Sequence, residues 1–468
     1  MRRPRAGVLA AVGVLIAAAT AITAAQEDEA VRPKINFSYR WQEDWSALAD
    51  PRLRTEPLDR LKYIPLPFDD PKSYVSLGLT VRERFELNDA PSFGIAGNKS
   101  DSYLLDRLQW HVDVRPNADW QIFVQFEDVR APGKAVITPV DENPLDLRLA
   151  FVAYVDAFWG GTLKARVGRQ EMAFDLQRFV SVRDGPNVRQ AYDAAWLDWE
   201  QRQWRVIGFW SQPVQYRHEH PFDDFSSGHL QYGGVRAERQ DVGPGELSAY
   251  YSRFIRDSAR FLDARGDERR HNLDMRYAGA RGGFDWDLEA MGQFGDIGGK
   301  SIRAWAVGSR SGYTMADLGW TPRLGLQIDA ASGDHKAGDE TLGTFNPLFP
   351  NGYYFTLAGY TGYVNLMHLK PSLTVKPLTN LALMAAAGLQ WRETTADAVY
   401  VQPNTPVPGT AGTAGRWSGV YTQFRADWEV MPSLITAVEA VRFQIGDAIR
   451  RAGGHDSTYF NVELKYGW

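Results

Sequence analysis

No cysteine occurs in the 468 residues. Disulfide frameworks, thiolate metal sites, thiol nucleophiles and lipid-modified N-terminal cysteines are thereby excluded. Histidine is scarce, with eight scattered along the chain. His218 and His220 flank Glu219, but the His-Glu-x-x-His spacing of a helical zinc site is missing. Gly308-Ser309-Arg310-Ser311-Gly312 puts arginine where a nucleophile elbow needs serine. Gly333-Asp334 with Gly338-Asp339-Glu340 offers carboxylates for calcium without the loop spacing of a dedicated site. These residue sets point to no catalytic group, no metal and no cofactor, and the chain is read as a non-enzyme.

Long apolar runs are also missing, with one exception. Arg2, Arg3 and Arg5 precede the alanine-rich stretch Ala6 to Ile22, which is followed by Thr23-Ala24-Ala25. A charged start, an apolar centre and a small-residue cleavage site predict a signal peptide over residues 1–25. Its loss would move the formal charge from −5 to about −8, a mildly acidic balance that gives no sign of nucleic-acid binding. Beyond Ile22 no stretch is long and apolar enough for a membrane helix.

Aromatic residues, by contrast, are abundant: 16 Trp, 20 Tyr and 23 Phe. Mean hydropathy is nevertheless −0.37. A polar chain rich in aromatics fits a membrane β-barrel, in which alternate side chains face water and aromatic girdles mark both interfaces. The last ten residues carry the clearest pattern. Phe460, Val462, Leu464, Tyr466 and Trp468 fall on one side of a strand, and Asn461, Glu463, Lys465 and Gly467 on the other. Strict period two ending on an aromatic is the pattern of a barrel-closing strand, with one face to lipid. It also resembles the C-terminal signal read by the bacterial barrel-assembly machinery.

Eighteen strands are predicted, near 74–87, 102–115, 119–128, 146–156, 162–171, 191–200, 203–211, 230–239, 246–256, 270–279, 283–294, 301–311, 322–330, 363–376, 380–392, 417–430, 434–445 and 458–468. Their connections alternate short and long. The short ones carry turn residues, as in Arg115-Pro116-Asn117-Ala118-Asp119, Trp159-Gly160-Gly161 and Met431-Pro432-Ser433. Long connections are expected near 88–101, 129–145, 172–190, 212–229, 257–269, 331–362, 393–416 and 446–457. Gly295 to Lys300 is the one short connection where an outer loop should fall. The fold class is thus an all-β transmembrane antiparallel barrel of about eighteen strands, with short periplasmic turns and long extracellular loops. Residues 26–72 form a periplasmic or lumenal segment, and residues 73–468 form the barrel.

Alternation also assigns the lumen. Val75, Leu77, Leu79, Val81 and Phe85 face lipid, whereas Ser76, Gly78, Thr80, Arg82, Arg84 and Glu86 face inward. A charge facing lipid at mid-bilayer costs about 2–4 kcal/mol, which constrains the register. A barrel this wide is not filled by wall side chains, so a water path is expected unless loops block it. The candidate pore-lining residues are Arg82, Arg84, Arg107, Arg148, Arg166, Arg276 and Arg392, with Arg183, Asp184 and Arg189 on the loop Gln170 to Asp193. Arginine suits a carboxylated substrate because its planar fork binds carboxylates in bidentate fashion. Inward acids such as Glu86, Asp113 and Glu127 nearly balance the bases, so the same arginines also fit an interior laced with ion pairs.

Several stretches resemble the bacterial alginate-export outer-membrane porin family. They include Leu58-Asp59-Arg60-Leu61-Lys62-Tyr63-Ile64-Pro65-Leu66, Arg82-Glu83-Arg84-Phe85-Glu86 and Val167-Gly168-Arg169-Gln170-Glu171. Arg183-Asp184-Gly185-Pro186-Asn187-Val188-Arg189 and Phe345-Asn346-Pro347-Leu348-Phe349-Pro350 follow. The resemblance implies passage of an anionic polysaccharide such as alginate through an arginine-lined pore in the outer membrane. Implied partners are outer-membrane lipid, the assembly machinery acting on the strand that ends at Trp468, the saccharide, and periplasmic polysaccharide-secretion proteins. The turn Met431-Pro432-Ser433 is too short for the periplasmic plug of an alginate exporter. An uptake porin for small anionic or organic solutes, a surface barrel enzyme and a plugged structural barrel are the alternatives.

Overall fold

The computed structural model describes residues 31–97 and 100–468; the expected signal peptide lies outside them. Eighteen antiparallel strands form one closed barrel. In chain order they are β1 Tyr74–Asn88, β2 Asp101–Arg115, β3 Trp120–Arg130, β4 Asn143–Phe158, β5 Gly161–Gln170 and β6 Tyr192–Gln201. Then come β7 Trp204–Pro213, β8 Leu230–Val242, β9 Gly245–Arg260, β10 Arg265–Arg281, β11 Phe284–Ile297 and β12 Lys300–Thr314. The last six are β13 Arg323–Ala331, β14 Leu366–Leu378, β15 Leu381–Trp391, β16 Trp417–Met431, β17 Leu434–Ile445 and β18 Ser457–Gly467. Closure is by β1 against β18, from Thr80 opposite Gly467 to Asn88 opposite Tyr459. Every wall strand is paired on both sides, so no row of unmet backbone groups faces lipid.

The alternation read from the sequence is the alternation of burial. On β1, Ser76, Thr80, Arg82, Arg84 and Glu86 are buried in the lumen, and Phe85 is exposed to lipid. On β18, Phe460, Val462, Leu464 and Tyr466 are exposed, whereas Asn461 and Glu463 are buried. The pattern stops at Tyr466, because the strand ends at Gly467. Trp468 is held by the N-terminal segment instead: the Lys62 ammonium lies 5.0 Å from its ring centroid and Arg40 donates to its carbonyl at 2.9 Å.

Two outer connections break the alternation of short and long. The expected long loop 257–269 is only residues 261–264, because β9 runs on to Arg260 and β10 starts at Arg265. These extensions pair residue for residue past one irregularity between Arg256 and Ala259. They contain few lipid-facing apolar residues, so sequence alternation is silent where ladder hydrogen bonds still hold the strands. The short outer connection is a two-residue hairpin at Gly298-Gly299, both with positive φ, at +52° and +89°. Such a turn matches strand twist and needs glycine, and the count remains eighteen.

The lumen is occupied. Residues 171–191, between β5 and β6, and residues 332–365, between β13 and β14, both fold inward. Met172, Phe174, Phe179 and Val180 of the first loop pack with Phe345, Phe349, Tyr354 and Tyr363 of the second. Together they cover Ile207, Phe209, Tyr232 and Tyr250 of the inner wall. The loops also pair through backbone, with Phe349 N–H donating to Phe179 O at 2.9 Å. A second apolar cluster joins Phe93, Tyr360, Val399, Val401, Val407 and Ile449 from four outer loops to Tyr421, Phe443 and Tyr459. At the opposite end, residues 31–63 enter from the turn side. Trp45, Leu48, Tyr63 and Tyr74 form a small core there, and Arg40 bonds Leu79 O, Thr80 and Glu43.

Candidate functional site

The densest charge arrangement surrounds Asp184 to Arg189 on the first inward loop. β1 and β2 are adjacent, and their inward positions Arg82, Arg84 and Arg107 converge on this segment. Arg84 donates to Gly185 O at 2.7 Å, and Arg82 to Asp184 O at 3.2 Å. Arg107 donates to Asn187 O at 2.7 Å, to Pro186 O at 2.9 Å and to the Asp184 carboxylate at 2.6 Å. Lys465 on β18 meets the other Asp184 oxygen at 3.1 Å, and Arg189 lies 3.6 Å from its carboxylate. Asp184 and a run of loop carbonyls, with Glu86 beside Arg84 and Glu463 between Arg84 and Lys465, therefore satisfy four wall cations and Arg189. Loop backbone that would otherwise be left unpaired in the lumen receives charge-assisted hydrogen bonds.

Neighbouring clamps use the same chemistry. Glu171 accepts from Arg148 at 2.8 Å and pairs with Arg189 at 2.9 Å. Arg166 lies 4.2 Å above the Trp41 ring, tying β5 to the N-terminal segment. Arg178 reaches the opposite wall, where it meets Asp287 at 2.7 Å and Glu289 at 2.5 Å. Gly308 leaves room for it, since a Cβ there would lie 2.7 Å from Arg178 Nε. Asp175 pairs with Arg236 at 2.7 Å and with Arg276 at 2.9 Å.

The ten residues singled out from the sequence thus fall into four sets. Arg82, Arg84, Arg107, Asp184 and Arg189 are brought together, and Arg148 and Arg166 lie beside them around Glu171. Arg276 belongs to the Asp175 and Asp287 network on the facing wall, and pairs with Asp287 at 2.6 Å. Arg392 is held apart from both groups. It is buried at the root of the outer loop 392–416 and donates to the carbonyls of Thr395, Asp397, Thr410, Thr413 and Gly415. Arg183 differs from the rest. Among the described residues its guanidinium makes no hydrogen bond or ion pair, and the side chain keeps partial solvent access.

Arg310 on β12 was not among the sequence candidates, although its even position shares the inward parity of Ala304, Ala306 and Gly308. It donates to Gln327 at 3.2 Å and to Tyr354 O, and its guanidinium lies 4.4 Å from the Tyr354 ring centroid. No carboxylate pairs with it among the described residues. Toward the periplasmic turns the wall is wetter: Lys164 pairs with Glu200, Arg205 with Asp198 and Glu238, and Arg323 with Asp285, the cation of each pair partly exposed. The lumen therefore combines inward loops held by apolar clusters and ion-pair clamps with partly exposed ion pairs toward the turn side.

Residues 73–463 match the family model for alginate export. No curated protein matches the chain. Among solved structures, OccK2 (OpdF) of Pseudomonas aeruginosa has a TM-score of 0.56 at 11% identity, covering 84% of this chain and 97% of that one. The outer membrane protein opdK of the same organism has 0.54 at 10% identity, with coverages of 84% and 98%. OccK2 (OpdF) in complex with glucuronate has 0.53 at 11% identity, with coverages of 84% and 97%. At these identities the likeness is one of fold. A closed eighteen-strand wall, an inward-facing charged lumen and a family match over nearly the whole described chain make this protein an outer-membrane barrel of the channel type, and it belongs to the alginate-export family.

Proposed function

We propose that the protein carries an acidic saccharide, alginate or a related polyuronate, outward across the outer membrane. The observation that carries this reading is that the lumenal guanidiniums of Arg183 and Arg310 are partly exposed and pair with no carboxylate among the described residues, whereas Arg166 and Arg392, also without one, are buried against Gln170, Trp41 and loop carbonyls. Most other lumenal arginines at the loop level are committed to Asp184, Glu171, Asp287 or loop carbonyls. A wetted guanidinium without an internal counterion is free to take a passing carboxylate in its fork, and a weak site among several permits release. Family membership supports the polymer and the outward direction. Lipid on the barrel's exterior, the assembly machinery at β18 and periplasmic secretion proteins are the partners this role requires.

Uptake of small organic anions is the second reading. Two inward loops fill much of the outer lumen, which favours a small solute, and a barrel of the same fold has been solved with glucuronate.

Purified protein in a planar bilayer under a salt gradient tests both. Wild type should prefer anions, and Arg183→Glu with Arg310→Glu should reverse the shift in reversal potential. The preference should fade at high salt, since the Debye length falls from about 10 Å at 0.1 M to about 3 Å at 1 M. Block of the current by oligouronates but not by neutral oligosaccharides would support the polymer, and block by monomeric uronate alone would support uptake. A wild-type channel without anion preference, unaltered by both substitutions, would reject the reading.

A further inference from the structure

Three carboxylates meet outside the lumenal site, where the β9–β10 hairpin tip touches the start of the second inward loop. One oxygen each of Asp263, Asp334 and Asp339 lies within 4.8 Å of the other two. Asp334 is 7% exposed, and its Oδ2 is buried with no hydrogen-bond partner. Asp263 accepts the Gly338 N–H at 2.9 and 3.0 Å and takes the Lys300 ammonium at 2.5 Å. Asp339 accepts the Thr341 N–H at 2.8 Å. The Asp334 N–H donates to Asp397 at 2.9 Å, which brings a fourth acid to the edge of the cluster. Lys300 is the one cation paired with these acids among the described residues, so negative charge remains in excess.

We propose that Asp263, Asp334 and Asp339 form a divalent-cation site, suited to calcium, that pins the root of the inward loop 332–365 to the β9–β10 hairpin. Buried carboxylate oxygens are retained when they are paired or bind metal, and an orphan such as Asp334 Oδ2 among two further carboxylates is a ligand set in search of a cation. Calcium fits better than magnesium, because it takes oxygen ligands in flexible geometry and accepts water to complete its shell. The consequence follows from chain continuity. Thr341-Leu342 pairs in parallel with Ser301-Ile302 of β12, and three residues on Phe345 enters the lumenal apolar cluster. An ion at the root therefore fixes where the inward loop begins. The site is independent of what the channel passes.

The test uses the full chain in detergent, stripped with a chelator and titrated with calcium chloride by calorimetry at pH 7.5. One saturable site is expected, with a dissociation constant on the order of 0.1–1 mM, typical of extracellular calcium modules. Asp334→Asn and Asp339→Asn should each weaken binding about tenfold or more. Heat-modifiable migration reports whether each variant is folded, and the half-buried Asp339 provides the safer variant. Lys300→Ala should tighten binding, since it removes the ammonium that competes for Asp263. Calcium should also slow hydrogen exchange over residues 334–342. Absence of saturable binding in wild type, or full binding in Asp339→Asn together with no gain in Lys300→Ala, would overturn the site and leave a proton-sharing acid pair in its place.

Discussion

Gly185 and Gly352 cross backbone to backbone in the lumen: a Cβ built on Gly185 would lie 2.6 Å from Gly352 Cα, and one built on Gly352 would lie 2.9 Å from Gly185 Cα. The two inward loops can pack this closely only while both positions lack a side chain. Neither contact is with the end of a flexible side chain that could swing aside. Gly185→Val should therefore push the loops apart, at a cost of about 1–3 kcal/mol typical of overpacking. Single-channel conductance should rise while heat-modifiability of the barrel persists. Unchanged conductance would mean that this crossing does not limit the path.

Asp184 is the shared counterion of Arg107, Arg189 and Lys465. Removing it leaves Arg107 without a carboxylate, while Arg189 keeps Glu171 and Lys465 keeps Glu463, and breaking one partner out of such a buried arrangement costs about 3–5 kcal/mol. Asp184→Ala should release the loop from β1, β2 and β18. Channel recordings should then show larger, noisier conductance with increased anion selectivity. Faster cleavage within residues 171–191 by added protease provides a second readout. A quiet, wild-type channel in this variant would show that the carbonyl contacts of Arg82, Arg84 and Arg107 suffice.

The closing strand and the loop polarity make a paired prediction. Phe460 and Tyr466 are exposed to lipid on β18, so replacing both with Ser removes apolar area from the last strand to assemble. Folded barrel in the outer membrane should fall sharply, measured as the heat-modifiable band. An epitope inserted in the outer loop near Gly412 should be labelled on intact cells. The same epitope at Pro432 should be labelled only after lysis, and surface labelling there would invert the orientation.

Asp224 gives a pH dependence on the outer surface. It accepts the Arg217 N–H at 3.0 Å and the Asn143 amide at 2.8 Å. Burial, with Asp146 next to it, pushes its carboxyl up from 3.8 to about 7. A raised acid binds a proton more tightly in the folded state, so docking of residues 217–224 is strongest in acid. It weakens as pH rises from 3.8 toward about 7 and is level above that. Hydrogen exchange of this loop, corrected for intrinsic rate, should speed up between pH 5 and pH 8 by up to about a hundredfold. Asp224→Asn should flatten the dependence, and an unaltered slope in that variant would assign it elsewhere.

Sequence alone determined the wall. Alternation along β1 or β18 is a local property with period two, and a single misplaced charge facing lipid is costly enough to fix the register. Turn residues such as Pro116-Asn117 set the short connections, and glycine pairs set the hairpins. The limit of that reading shows at β9 and β10, where the strands rise past the membrane, lose their apolar face and so lose their signal, although the ladder continues to Arg260 and Arg265.

The interior was decided by tertiary structure. Inward parity placed Arg84 and Arg107 in the lumen, but their partners lie on a loop 101 and 77 residues away. No period or motif encodes that distance. Whether a lumenal arginine faces water or clamps a loop depends on where chain segments with little repetitive pattern fold back, and the apolar packing of Phe179 against Phe345 and Tyr363 decides this. Arg183 on its loop and Arg392 at the end of its strand are both pore-lining candidates in the sequence. One is left unpaired in the lumen and the other is spent on five carbonyls of its own loop, because only the folded chain sets which acceptors lie within hydrogen-bond reach.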